Sequence, residues 1–360
     1  MAGISKQDVD TPALLVDADA LERNIRKMQD FANGYGVNLR PHCKTHKCTT
    51  IAQKQVAAGA FGITCAKLGE AEAMAKAGIR NLLIANQVVG SIKIARLAEL
   101  ARISGVIVAV DDVANGTQIS AAAAAAGLKV NVIIEVNTGM NRCGTEPGQP
   151  TLKLARALLK LKGLNFRGLM GYEGHAVNIR DFAERKRVVE EALGKLVATA
   201  ELLRKNKVPV EIVSAGGTGS YKITTAYKGI TETQVGSYAT MDGAYQDVGV
   251  EFEQALTLLT MVVSRPTKTR VVLDAGKKVC TEEFGLPRLK DLKGARVRGL
   301  SEEHCTLDLS DPKCKLKPGD KIELIPTHGC TTINLHDQFF ALRGDKVEAV
   351  WPIEARGRAR

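Results

Sequence analysis

Val37-Asn-Leu-Arg-Pro-His-Cys-Lys-Thr-His-Lys47 decides how the chain is read. Its first three residues form a short extended run, and Pro41 pushes Arg40 toward the extended region, so the segment reads as a strand end. Helical periodicity resumes over residues 49–58. A strand end opening into a helix is where (β/α) folds carry their chemistry. Between Arg40 and Lys47 stand an arginine, two histidines, two lysines and a cysteine. A lysine in that place serves as a surface cation, a phosphate clamp or a Schiff-base nucleophile, and the stretch alone leaves all three open.

The same alternation continues outward. A strand at 11–17 leads into an amphipathic helix at 19–33. Extended runs follow at 38–42, 62–65, 82–85, 106–110, 130–136, 166–172, 211–214 and 232–238. Helical patterns at 69–77, 91–101, 114–126, 150–161 and 180–206 fall between them. The extended runs are apolar throughout rather than alternating, as in a parallel sheet covered on both faces. Eight strands with helical crossovers predict a TIM-type (β/α)8 barrel over residues 25–245. After residue 246 the texture changes to short β segments at 256–263, 269–274, 295–299, 321–325, 338–342 and 347–351. Turns such as Pro318-Gly-Asp320 and Arg343-Gly-Asp345 separate them. An all-β domain of residues 246–360 is expected, joined by the N-terminal strand within residues 1–24.

Composition narrows the function. A chain of 360 residues with 45% hydrophobic and 25% charged residues suits a soluble globular protein with a sizeable core. No apolar run approaches the length of a membrane span, and residues 1–11 lack the apolar stretch of a signal peptide, so a cytoplasmic location is expected. The eight cysteines are scattered without a CxxC pair, which favours reduced thiols over disulfides or a zinc ribbon. The net charge of +11 raises nucleic-acid binding. Against that reading, the basic residues are spread over helix faces, aromatics make up 4%, and no recognised nucleic-acid motif occurs. A small anionic substrate or cofactor accounts for the same charge.

Four clusters fall at predicted strand ends. Besides 40–47, they are Glu135-Val-Asn-Thr-Gly-Met-Asn-Arg-Cys-Gly144 with Arg142, Gly168-Leu-Met-Gly-Tyr-Glu-Gly-His175 with Tyr172 and His175, and the paired turns Gly216-Gly-Thr-Gly-Ser220 and Gly236-Ser-Tyr238. Glycine turns after the last two barrel strands expose backbone amides and recur as phosphate sites. A phosphate cradle facing a lysine, histidine and arginine set points to pyridoxal phosphate, whose aldehyde needs a lysine. A fifth cluster lies in the β segments: Pro326-Thr-His-Gly-Cys330, then Asn334, His336 and Asp337. In extended chain His328 and Cys330 would point to one side, within reach of one divalent ion, leaving positions for water and substrate.

The ordered set Asp10-Thr-Pro-Ala, Arg40-Pro-His-Cys-Lys44, Gly69-Glu-Ala-Glu72, Asn86-Gln-Val-Val-Gly90, Met140-Asn-Arg-Cys-Gly144, Gly216-Gly-Thr-Gly219, Gly236-Ser-Tyr238, Asp274-Ala-Gly276 and Trp351-Pro-Ile spans nearly the whole chain. It resembles the metal-activated branch of the fold-type III pyridoxal-phosphate enzymes, the D-threonine aldolases and D-serine dehydratase-like proteins, whose barrel is that of alanine racemase. The resemblance implies that Lys44 carries the cofactor's aldehyde and that Arg142 approaches its phenolate oxygen or the substrate carboxylate. Tyr172 would line the pocket, with Arg40 and His42 in support. Thr218, Gly219, Gly236 and Ser237 would hold the phosphate, with Tyr238 nearby, and His328 and Cys330 would hold zinc, manganese or magnesium. It further implies a homodimer acting on a D-amino acid. Two reactions use these parts. In an aldolase either His175 or a metal-bound hydroxide would be the base for the β-hydroxyl of a D-β-hydroxy amino acid, and glycine and an aldehyde are released. In a D-serine or D-3-hydroxyaspartate dehydratase Lys44 would remove the Cα proton, giving a 2-oxo acid and ammonia. The His-x-Cys pair matches the dehydratase pattern, whereas 69–72 and 86–90 are closer to the aldolases.

Overall fold

The computed structural model describes residues 2–311 and 313–360. Contacts divide the chain into two compact units. One comprises Lys27–Lys44, Ile51–Gly236 and Gly357–Arg360, and the other Met1–Arg26, Thr45–Thr50 and Ser237–Arg356. The first strand, β1 (Ala13–Asp17), lies in the latter.

The larger unit is the expected barrel. Its strands are β2 (Asn38–Leu39), β3 (Ile63–Cys65), β4 (Leu82–Gln87), β5 (Ile107–Val110), β6 (Val130–Glu135), β7 (Leu164–Met170), β8 (Ile212–Ala215) and β9 (Glu232–Thr233). They pair in parallel in the order β2-β9-β8-β7-β6-β5-β4-β3. The ring closes between β2 and β3, where His42 bridges Thr64 in parallel and the Cys43 and Phe61 amides donate to Thr64 and Leu39 carbonyls at 2.8 Å. Helices Leu68–Lys76, Ser91–Ser104, Val113–Ala125, Gln149–Leu158 and Phe182–Lys205 follow successive strands. All four residues of β5 are buried, which is why its sequence reads as an uninterrupted apolar run.

Arg40 departs from expectation. Rather than supporting a cofactor, it is fully buried and paired with buried Glu232 at 2.8 Å. Its guanidinium also donates to the Asn81 carbonyl and lies over the Phe61 ring, 5.1 Å from the centroid. Glu232 accepts from Ser214 as well, at 2.8 Å. A charge taken out of water needs such a complete set of partners, so Arg40 is committed to holding the barrel closed.

The second unit is built on β1 together with β10 (Leu256–Thr267), β11 (Arg270–Leu273), β12 (Arg288–Leu289), β13 (Ala295–Leu300), β14 (Cys305–Leu309), β15 (Lys321–Ile325), β16 (Gln338–Arg343) and β17 (Lys346–Pro352). The main path runs β13-β14-β11-β10-β1-β16-β17, and β15 pairs with β10 and β12. Pairing is antiparallel except between β1 and β16, so the N-terminal strand sits inside the C-terminal sheet. Strands β12 and β14 were not expected. The predicted 232–238 strand is cut to β9, because the chain turns at Gly236 into the 3-10 turn Ser237–Ala239, and the Met241 amide donates back to the Ser237 carbonyl at 2.7 Å.

Candidate active site

In the barrel unit Lys44 follows the end of β2, past Pro41, half-buried, with Nζ 5.4 Å from the centre of the Tyr172 ring. The Lys44 amide donates to His42 Nδ1 at 3.3 Å, which fixes that imidazole beside the lysine. Tyr172 lies just past β7 and is followed by Glu173, a fully buried carboxylate. Glu173 accepts from Ser220 Oγ at 2.6 Å, Thr224 Oγ1 at 2.5 Å and the Gly216 amide at 3.2 Å. One side chain thereby sets the whole 216–220 turn after β8. Gly219 is obligatory there, since a Cβ would fall 1.9 Å from the Val177 carbonyl oxygen. Among the described residues the Gly219 and Gly236 amides have no hydrogen-bond acceptor. Gly236 lies three residues past the neighbouring β9, and the Gln234 amide just after that strand donates to the Ala215 carbonyl at 2.9 Å.

The other barrel candidates lie further out. Arg142 is half-exposed and pairs loosely with Glu135, at 3.7 Å. Glu135, at the end of β6, shares the Gln87 side-chain amide with Asp111, at 2.7 and 3.1 Å. Burial raises the Glu135 pKa, and the Gln87 hydrogen bond and Arg142 charge pull against that rise. His175 is exposed, and its ring rests on the Gly139 backbone; a Cβ on Gly139 would come within 2.7 Å of the imidazole.

In the second unit Cys330 Sγ lies 3.2 Å from Thr45 Oγ1 and 3.8 Å from Ser237 Oγ, and Thr45 and Ser237 are 3.3 Å apart. Thr45 is the residue after Lys44 and Ser237 the residue after Gly236. Tyr238 is buried against Phe252, with ring centroids 5.5 Å apart. The 328–330 segment is not extended, contrary to expectation. His328 caps the short helix Gly329–Ile333, which carries Cys330. The cause is Asp242, buried and distant in sequence, which accepts from the Gly329 amide at 2.9 Å and from the Tyr245 amide at 3.1 Å. It thus satisfies exposed amides of two helical turns at once. Burial raises the Asp242 pKa, against those hydrogen bonds and the nearby His328. The turn still leaves the Cys330 thiol within hydrogen-bonding reach of His328. His328 Nδ1 is 2.6 Å from Glu283. Burial opposes charge on His328, yet the hydrogen bonds and charges of Cys330 and Glu283 outweigh it and push its pKa up to about 9.

The alanine racemase N-terminal domain model matches residues 16–243, and the D-serine dehydratase domain model matches residues 255–342. A D-threonine aldolase of Arthrobacter sp is 39% identical over 98% of this chain and 94% of its own length. The chain belongs to the alanine racemase-like family of D-threonine aldolases and D-serine dehydratases. Family likeness extends to solved structures. D-threonine aldolase from Filomicrobium marinum superposes with a TM-score of 0.98 at 41% identity, covering 100% of this chain and 99% of that one. D-threo-3-hydroxyaspartate dehydratase from Delftia sp. HT23 superposes at 0.90 with 28% identity, covering 97% and 98%. A dehydratase of that name has also been solved as a cysteine-to-alanine variant in the metal-free form and as a histidine-to-alanine variant.

The residues fit both groups that the family implies. An amine beside an aromatic ring, with two unpaired amides on adjacent strand ends, suits an aldehyde-bearing phosphorylated cofactor. An imidazole next to a thiol, with a carboxylate on the other ring nitrogen, suits a soft divalent ion. No group of three or more side chains that could hold a metal ion occurs among the described residues. Sequence reasoning missed Asp242, Glu283 and the structural part of Glu173, since each acts on a partner more than 40 positions away. Among the described residues no helix is long and apolar enough to cross a membrane.

Proposed function

We propose that this protein is a pyridoxal-phosphate-dependent aldolase that cleaves D-β-hydroxy-α-amino acids such as D-threonine to glycine and an aldehyde. The observation that carries this reading is the end-to-end likeness to D-threonine aldolase, 41% identical at a TM-score of 0.98, against 28% and 0.90 for the dehydratase.

Each side chain has a defined task in this reading. Lys44 provides the amine that receives the cofactor's aldehyde, and Tyr172 provides the aromatic wall beside it. Glu173 holds the turn that presents Thr218 and the Gly219 amide; these, with Gly236, Ser237 and Tyr238, bind the phosphate. Arg142 neutralises an anionic oxygen of cofactor or substrate. His175 takes the β-hydroxyl proton as the Cα–Cβ bond breaks. Pyridoxal phosphate, when bound, supplies the sink for the electron pair left at Cα. His328 and Cys330 hold a divalent ion, zinc best matching thiolate and imidazole, with manganese and magnesium as rivals. Such an ion would lower the pKa of the β-hydroxyl as a Lewis acid. A homodimer belongs to the same reading, and sedimentation equilibrium giving twice the mass of one chain is expected.

One observation favours dehydration. The histidine and cysteine replaced in the dehydratase variants stand two positions apart, like His328 and Cys330. Incubating the purified protein with D-threonine and with D-serine separates the two. Glycine and acetaldehyde from D-threonine are expected. A 2-oxo acid and ammonia without glycine would overturn the aldolase reading.

A further inference from the structure

We propose that the loop of residues 281–285, through Glu283 and Phe284, sets the orientation and metal affinity of His328. Glu283 approaches His328 Nδ1 at 2.6 Å. A carboxylate only accepts, so Nδ1 carries the hydrogen and Nε2 is left as the nitrogen able to bind a cation. Phe284 stacks on the same imidazole, with centroids 4.4 Å apart and planes 26° apart. The ring is therefore held at its edge and across its face.

The loop itself is clamped on both sides of His328. The Thr281 amide donates to Thr332 Oγ1 at 3.2 Å, and Thr327 Oγ1 donates to the Gly285 carbonyl at 2.5 Å. Within the loop the Glu283 amide donates to Thr281 Oγ1 at 3.2 Å. Threonines one residue before and four residues after His328 thus fix the segment that fixes its ring. The adjacent Glu282 turns elsewhere and pairs with Lys277 at 2.5 Å. Position in the loop, and not acidity in general, distinguishes Glu283.

A carboxylate on the distal nitrogen of a metal-binding histidine fixes its tautomer and makes it a stronger donor; losing such a partner weakens metal binding roughly 10–100-fold. Glu283 and Phe284 are positioning residues, acting through His328. The inference rests on the metal reading of His328 and Cys330, and one experiment tests the two separately. The full-length, cofactor-loaded protein is stripped of metal with a chelator, and Zn2+ alone is titrated in competition with a chromophoric chelator. Wild type, Glu283→Ala, Glu283→Gln, Phe284→Ala and the control Glu282→Gln are compared, with thermal midpoints recorded to confirm folding. Glu283→Ala is expected to weaken Zn2+ binding about 10–100-fold. Glu283→Gln, which still accepts a hydrogen bond but carries no charge, should fall between Ala and wild type. Phe284→Ala should weaken binding, and Glu282→Gln should leave it unchanged. Unchanged affinity in folded Glu283→Ala would overturn the loop's role while leaving the metal reading intact. Wild type unable to compete for Zn2+ would overturn both.

Discussion

Lys44 stands half-buried with its amine 5.4 Å from the centre of the Tyr172 ring, so its replacement tests the barrel half of the proposed site. Lys44→Ala should remove both turnover and the visible absorbance band of bound cofactor, while the circular dichroism spectrum of the protein stays the same. A variant that keeps the band would place the aldehyde on another amine. His328 supplies the pH dependence. Its folded, metal-free pKa of about 9 lies above the ordinary 6.5. The stability gained from its charge is therefore complete below pH 6.5 and lost as pH rises through about 9. A divalent ion must displace that proton, so the imidazole alone should raise its apparent affinity by up to about tenfold per unit between pH 7 and 9. Chelator competition at several pH values checks this, and a flat profile would contradict it. Lys44 was legible from its motif and from the family resemblance. Glu283 was not, because nothing in its own neighbourhood marks it.

At the level of elements, the barrel strands were readable because they are apolar on both faces, and β5 and β6 fall where the sequence placed them. Short helices were not. Gly329–Ile333 has no periodicity of its own and is created by a carboxylate at position 242. The turn after β8 is similar, since its glycines were visible but the buried Glu173 that organises them was not. Removing that carboxylate leaves Ser220, Thr224 and the Gly216 amide without their shared acceptor. Glu173→Ala should cost about 1–3 kcal/mol in urea unfolding, the usual penalty for stranding buried polar groups. It should also weaken cofactor binding, read from the concentration needed to restore the absorbance band in stripped protein. Loss of stability with unchanged cofactor binding would mean that the turn does not serve the phosphate.

For the whole molecule, Arg40 and Glu232 join the first and last strands of the barrel in a pair that is almost fully buried. Arg40→Met should destabilise the protein by about 3–5 kcal/mol, because Glu232 is left charged and unpaired in the interior. Equilibrium unfolding measures it; a shift below about 1 kcal/mol would mean that Glu232 finds water or another partner. Pairing Arg40→Met with Glu232→Gln should recover part of the loss, since no isolated charge then remains. The sequence by itself determined the eight barrel strands and the β-rich remainder, and it supplied the lysine, histidine and cysteine of the proposed site. Those features depend on local pattern: apolar runs, proline and glycine at strand ends, and reactive side chains a few positions apart. Tertiary structure decided that Arg40 is a structural ion pair, that 328–330 is a helical turn, and that Glu173, Asp242 and Glu283 orient the groups beside them. Each of these follows from a buried charge or an amide finding a partner far along the chain, and that need for a partner has no local signature.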